Sequence, residues 1–208
     1  MFRFVDIGAY GRRSDGGIFS SCTMGRKFET SRMNVPQSRA VCEGGPVLPY
    51  CLVGDEAFPL KPYMLRPYPG KNGLTKEQHI FNFRLSHARR MIENTFGILA
   101  SQWRILRKAI IANVDNVMKM VQAIICLHNW LREDDFGKDV YIAPHLIDRD
   151  ENNEFRPGSW RGIVEAGCAL QDITHCGTNT STRESIRIRN AFKDYFNNDG
   201  AVSWQENH

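Results

Sequence analysis

The sequence predicts an α/β fold, because two segments typical of β-strands are combined with a long amphipathic helix. Residues 47 to 53 are apolar apart from Pro49, a pattern typical of a strand that is buried on both faces and has its proline near the start. Residues 2 to 7 alternate between apolar and polar side chains, which indicates a second strand. We expect the strands 2–7 and 47–54 to pair in one sheet.

Residues 75 to 100 are predicted to form a helix that packs on this sheet. Thr75 and Gln78 have the spacing of a capping box, in which two side chains satisfy backbone N–H groups at the helix start. Apolar residues then recur every three or four positions, as on one face of a helix: Phe81, Leu85, Ala88, Ile92, Phe96, Leu99 and Trp103. We expect the contacts with the sheet to come from Phe81, Leu85, Ile92 and Phe96.

Two further helices are predicted. The first begins at Asn113, and its apolar face includes His128. This histidine has two readings, a general base or a core residue bonded to the backbone, and the core role is the more common outcome. The second helix covers residues 182 to 196, and residues 133 to 154 before it hold eight acidic side chains. We therefore expect a folded domain over residues 1–132, followed over 133–208 by an acidic linker and a tail with a short helix.

Two carboxylates are the candidate site residues. Asp55 follows the apolar strand where Gly54 and Pro59 interrupt the pattern, and Glu93 lies at the edge of the helical stripe. A strand end and a following helix can meet at one point, and paired carboxylates are the oxygen ligands that Mg²⁺ prefers. Taken singly, Asp55 is typical of a turn residue and Glu93 of a surface salt bridge. Glu56 is a weaker candidate than Asp55 for a metal ligand.

Positive charge is concentrated around these carboxylates. The chain has a net charge of +4, yet residues 61 to 108 contain ten Lys or Arg and two acidic residues. Such a distribution favours a polyanionic ligand, with a solvated helix face as the alternative explanation. We expect nucleic acid to be contacted by Lys61, Arg66, Arg84, Arg89 and Arg90.

The cysteine spacing and the distribution of apolar residues give no support for a zinc-binding, disulfide-rich or membrane-spanning protein. None of the six cysteines forms a C-x-x-C pair, so the sequence favours reduced thiols over a zinc site or a disulfide framework. No signal peptide and no apolar run of membrane-spanning length is present in the sequence.

Five segments together resemble the PIF/Harbinger family of transposases and transposase-derived nucleases. They are Gly-Asp-Glu-Ala-Phe-Pro-Leu (54–60), Arg-Pro-Tyr-Pro (66–69), Phe-Asn-Phe-Arg-Leu-Ser (81–86), Ala-Arg-Arg-Met-Ile-Glu-Asn-Thr-Phe-Gly (88–97) and Leu-His-Asn (127–129). The resemblance implies a partial ribonuclease-H-like domain of the DDE transposase type with an Asp-Asp-Glu metal site. By motif, Asp55 matches the second acidic residue of that site and Glu93 the third, with 37 residues between them.

The resemblance also implies the function and its setting. It implies a metal-dependent DNA endonuclease that uses Mg²⁺ or Mn²⁺ and acts in the nucleus, with the cytoplasm as a further location. A separate Myb-like DNA-binding protein is an implied partner.

One motif of the family is missing. The family's first Asp stands in a motif such as Asp-Gly-Lys-His, which this chain lacks, and residues 2 to 8 resemble the family's third strand instead. We therefore expect a nuclease shortened at its N-terminus that cleaves DNA poorly or not at all. The alternative is a catalytically inactive remnant that binds nucleic acid or a protein partner.

Overall fold

The computed structural model describes residues 1–9, 13–70, 72–134, 137–151, 154–165 and 181–206. Its α-helices are α1 (Asp15–Ser21), α2 (Thr23–Glu29), α3 (Lys76–Gln102), α4 (Val114–Glu133), α5 (Lys138–Tyr141), α6 (Trp160–Glu165) and α7 (Arg183–Asn197). The strands are short: β1 (Arg39–Ala40), β2 (Val47–Leu48), β3 (Leu52–Val53), β4 (Met64–Leu65), β5 (Arg149–Glu151) and β6 (Glu154–Arg156). This mixture of helices and small sheets is consistent with an α/β fold.

The chain divides into two compact units. One comprises Gly11–Arg89 and Ile173–His208 and is called the Asp55 unit; the other comprises Met1–Tyr10 and Arg90–Asp172 and is called the Glu93 unit. Within the described residues, no helix combines the length and apolar character needed to cross a membrane.

The core of the Asp55 unit joins a parallel strand pair to the first half of α3. Strand β3 pairs with β4, with Leu52 opposite Met64 and Val53 opposite Leu65. Leu65 packs with three other buried side chains, Tyr68, Phe81 and Leu85, and α7 adds Phe192 and Phe196 at the edge of this cluster. The predicted contribution of Phe81 and Leu85 to the core is thus confirmed.

The start of α3 is also as predicted. The Thr75 backbone N–H donates to Gln78 Oε1 at 3.0 Å, and the Gln78 N–H donates to Thr75 Oγ1 at 3.3 Å. This reciprocal pair is the capping box, and it satisfies donors that the first helical turn leaves without an intrahelical acceptor. The predicted helices at 113 and 182 also begin at side-chain N-caps, where Asn113 accepts from the Asp115 N–H and Thr182 from the Ser185 N–H.

The prediction of one strand over residues 47–54 is wrong. The segment contains two separate strands, because β2 pairs with β1 in an antiparallel hairpin while β3 pairs with β4. Pro49 lies between the two strands. It has no N–H to donate, and its ring restricts the preceding residue, so a continuous ladder is interrupted there.

In the Glu93 unit, residues 2–7 form no strand, which contradicts the predicted pairing. The Phe2 N–H donates to Asn129 Oδ1 at 2.9 Å, and Asn129 Nδ2 donates to the Phe2 carbonyl at 2.8 Å. The Asn129 amide therefore bonds both the backbone N–H and the carbonyl of Phe2, which are the groups that a neighbouring strand would pair with. Phe4 and Val5 are 64% and 49% exposed, as expected for a segment without a strand partner on either side.

Two clusters form the core of the Glu93 unit. Ile98 packs with Tyr141, Leu146 and Trp160, while Leu99 packs with Leu106 and Ile124 and has Phe2 at its edge. Ile92 and Phe96 are each 43% exposed, so their predicted burial against a sheet is wrong. Phe96 instead contacts the Phe2 ring edge-on, at 5.9 Å between centroids.

A substitution at Gly97 tests the contact between α3 and Trp160. A Cβ at Gly97 would overlap the indole of Trp160, which is 8% exposed and fixed by a hydrogen bond from Nε1 to Asn94 Oδ1. Gly97→Ala should lower the free energy of unfolding by about 1–3 kcal/mol in chemical denaturation, because overpacking outweighs the gain in helix propensity. Gly162→Ala is the matched control: a Cβ there meets nothing within 4 Å, so the variant should be as stable as the parent or more stable. Equal effects at both positions would contradict the described packing.

Candidate active site

Asp55 lies directly after β3, where the sequence analysis placed it. The Gly54 N–H makes the last bond to β4, donating to the Leu65 carbonyl at 2.9 Å. Asp55 Oδ1 accepts a hydrogen bond from the Ala57 N–H at 2.8 Å, and the Phe58 N–H donates to the Asp55 carbonyl at 3.3 Å. The side chain thus closes a turn on its own backbone, a role for which aspartate is favoured.

The second oxygen of Asp55 faces a guanidinium group. Oδ2 lies 3.3 Å from Nη2 of Arg89 on α3, and the two side chains are 24% and 23% exposed. An ion pair that remains this accessible to water contributes at most about 1 kcal/mol to stability. The pair therefore orients Asp55 and compensates its charge, and another cation can compete for the same oxygen.

Glu93 lies on α3, partly exposed, four residues after Arg89. The helix around it is fixed within the Glu93 unit by polar contacts. Arg90 Nη1 donates to both carboxylate oxygens of Asp150, at 2.8 and 2.7 Å, and its guanidinium lies over the Phe155 ring. Asn94 Oδ1 accepts from the Asp148 N–H at 2.9 Å. These contacts hold the turn of α3 that carries the Glu93 carboxylate.

The other three predicted nucleic-acid contacts also have partners inside the Asp55 unit. Lys61 Nζ lies 2.8 Å from Glu29 Oε1, and Arg66 Nη1 donates to the Phe58 carbonyl at 3.3 Å. Arg84 donates to Gln205 Oε1 at 2.9 Å and stacks on the rings of Phe196 and Trp204. Lys71, another cation of the basic segment, lies outside the described residues.

The acidic segment also holds an ion pair with a buried carboxylate, which was not predicted from the sequence. The Asp148 side chain is fully buried, accepts from Arg161 Nε at 3.0 Å and Nη2 at 2.5 Å, and accepts from the Gly158 N–H at 2.7 Å. The apolar residues Leu146 and Ile147 just before it were the available signal, because they indicate a segment that enters a core.

His128 is a core residue of the Glu93 unit. It is fully buried, and its Nδ1 lies 2.8 Å from Tyr141 Oη, which also accepts from Trp103 Nε1 at 3.0 Å. The partner is thus a side chain rather than the backbone. Burial, with smaller contributions from the positive charges of the N-terminus and Arg132, lowers the pKa of His128 to about 4. A buried, neutral imidazole of this kind does not act as a base on an external substrate.

A hard divalent cation fits the donor chemistry of Asp55, since the carboxylate is partly exposed and Arg89 is the one partner of its Oδ2 among the described residues. Within the described ranges, no group of three or more His, Cys, Asp and Glu side chains is arranged to hold a metal ion. A cation at Asp55 would therefore complete its coordination with water and with a ligand from elsewhere, and the pairing of Asp55 with Glu93 stays a prediction.

Comparison with known proteins connects these residues to a family. The family model described as DDE superfamily endonuclease matches residues 1–129, which include Asp55 and Glu93. A relative, Protein ALP1-like from Arabidopsis thaliana, is 28% identical over 134 residues, covering 62% of this chain and 32% of the relative. The match thus spans about a third of that relative's length. No solved structure matches the chain.

The buried state of His128 predicts a pH dependence of stability. Its pKa is about 4 in the folded chain and about 6.5 when unfolded, so between these values the unfolded state binds more protons. Stability should therefore rise with pH from about 4 to about 6.5, by up to roughly 3 kcal/mol from this group. His128→Gln, which keeps an acceptor for Tyr141 but does not titrate, should flatten the slope of unfolding free energy against pH. The exposed His79→Gln is the control, and an equal slope in parent and His128→Gln would refute the assignment.

Proposed function

The chain belongs to the DDE superfamily endonuclease family, and on this premise we propose that it is a DNA endonuclease of Harbinger transposase descent. The proposed catalytic domain is a ribonuclease-H-like α/β domain over residues 1–132. The observation that carries the proposal is the position of Asp55: its partly exposed carboxylate follows β3, which pairs in parallel with β4. In α/β sheets, ligands bind beyond the carboxyl ends of parallel strands.

Asp55 and Glu93 are the residues proposed to hold the divalent cation. DDE superfamily endonucleases generally use such metals, and a bound Mg²⁺ or Mn²⁺ activates water and stabilises charge on the leaving oxygen of a phosphodiester. Asp55 would offer Oδ2 to the cation, while Oδ1 stays on the Ala57 N–H and keeps the carboxylate oriented. Arg89 would then release Oδ2 of Asp55, and its guanidinium would contact a phosphate oxygen beside the site.

DNA is the proposed substrate and the nucleus the proposed location. The five predicted cations, Lys61, Arg66, Arg84, Arg89 and Arg90, remain the proposed phosphate contacts. Each would exchange an intramolecular partner for phosphate, which makes these contacts dependent on ligand binding. The Myb-like partner implied by the resemblance stays a prediction.

A second candidate is DNA binding without cleavage. The ion pair between Asp55 and Arg89 favours it, because the guanidinium occupies the oxygen that a cation would need. A metal site built on two carboxylates also leaves most of an octahedral shell to water, so it should bind Mg²⁺ weakly.

Mn²⁺ binding tests the proposed metal site, and a cleavage assay then separates the two candidates. We expect the protein to bind Mn²⁺ in calorimetric or electron paramagnetic resonance titrations, and Asp55→Asn and Glu93→Gln to reduce the affinity at least about tenfold each, because each removes a charged ligand. Glu56→Gln is the matched control, since it makes the same change beside Asp55 and should bind Mn²⁺ like the parent.

A nicking assay on plasmid DNA with Mg²⁺ or Mn²⁺ completes the test. We expect slow nicking by the parent that both site variants abolish and Glu56→Gln retains. Mn²⁺ affinity that is unchanged in both site variants would reject the site. Site-dependent Mn²⁺ binding without any nicking would favour the second candidate.

A further inference from the structure

An open cavity in the Glu93 unit has a basic lining. Its volume is about 740 Å³, within the usual range for ligand sites. The cations Arg104, Arg107 and Lys108 line it together with apolar residues and with Gly162 of α6, and none of the described residues that line it is acidic. The cavity therefore has the volume of a ligand site, and the charged side chains among its described lining residues are all positive.

Local structure explains why these cations share one side of the chain. α3 ends at Gln102, and residues Arg104–Arg107 form a 3-10 turn. Such a turn has three residues per turn, so Arg104 and Arg107 lie above one another. Arg107 is anchored, because its Nε donates to the Ala100 carbonyl at 2.8 Å and its Nη2 to the Ser101 carbonyl at 2.5 Å. These bonds cap the carbonyl end of α3, where positive charge is favourable.

Arg104 and Lys108 differ from the five cations chosen from the sequence. Both are exposed, and in the described part of the chain neither has a hydrogen-bond, ion-pair or ring partner. The five other cations are all engaged within their own unit. Arg104 and Lys108 can thus accept an anion without breaking an existing interaction, which makes binding here less costly.

We propose that this cavity binds the sugar–phosphate backbone of DNA, with Arg104 and Lys108 contacting phosphates and Arg107 adding a fixed positive charge. The apolar lining suits the sugar edges between phosphates: Ile105 is 44% exposed and Ile111 fully exposed. The inference rests on the proposed function only for the identity of the polyanion. It requires neither the metal nor cleavage, and it places a DNA contact on residues outside the predicted set.

Fluorescence anisotropy with a labelled DNA duplex tests the proposal on the full chain. Arg104→Ala/Lys108→Ala should weaken binding about tenfold or more and lower the slope of log affinity against log salt by about two, one for each phosphate that is no longer neutralised. The control is Lys27→Ala/Arg32→Ala, which removes the same charge from exposed positions that do not line the cavity and should leave the slope within error of the parent. Arg104→Lys/Lys108→Arg keeps both charges and should restore affinity, which excludes a folding defect as the cause.

Competition identifies the ligand. The duplex should be displaced by unlabelled DNA at far lower charge concentration than by ATP, inorganic polyphosphate or poly-glutamate. Equal slopes for the cavity variant and the control would overturn the proposal. Preferential displacement by polyphosphate or by the acidic polypeptide would overturn the assignment to DNA. Mn²⁺ binding should be unchanged in the Arg104→Ala/Lys108→Ala variant. The proposed DNA contact and the proposed metal site are therefore tested independently of each other.

Discussion

Two different parts of one helix, α3, are buried, and the rest of the structure depends on that burial. Its first half places Phe81 and Leu85 in the core of the Asp55 unit, and its last turns place Ile98 and Leu99 in the cores of the Glu93 unit. In the middle of the helix the side chains of Met91 and Ile92 are exposed, so this stretch is not fixed by burial of its apolar residues. Arg89, Arg90 and Glu93 all lie there. The apolar ends fix the helix, and the polar centre carries the residues on which the proposed function depends.

Local signals made α3, α4 and α7 predictable, while non-local contacts decided the strands. The capping pairs at Thr75, Asn113 and Thr182 involve residues two or three positions apart, so the sequence contains the whole interaction. The segment at residues 2–7 has the alternation of a strand, yet its first residue is bonded to Asn129, 127 positions away. No pattern within the segment reveals that partner. Pro49 was visible in the sequence, but whether it starts or divides a strand depends on the partners that β1 and β4 supply.

The distinction between local signals and non-local contacts also applies to the candidate site. The position of Asp55 at a strand end followed from Gly54 and Pro59, and the structure confirms it. The ion-pair partners did not follow from the sequence, because Arg89 lies 34 positions from Asp55 and, in the other unit, Asp150 lies 60 positions from Arg90. Counting basic residues in a window therefore favoured a polyanionic ligand but did not show which cations already have partners within the chain. Arg104 and Lys108 belong to the same window, and their lack of partners in the described chain is visible only in the structure.

The central claim is that Asp55 and Glu93 are ligands of one cation. Crystals grown with Mn²⁺ and measured at a wavelength where manganese scatters anomalously would test it most directly, because the anomalous signal locates the ion without assumptions about the protein. We expect one peak within about 2.0–2.3 Å of an oxygen from each carboxylate, with Arg89 displaced from Asp55 Oδ2. A structure in which Asp55 remains on Arg89 and the manganese peaks lie on other side chains would contradict it.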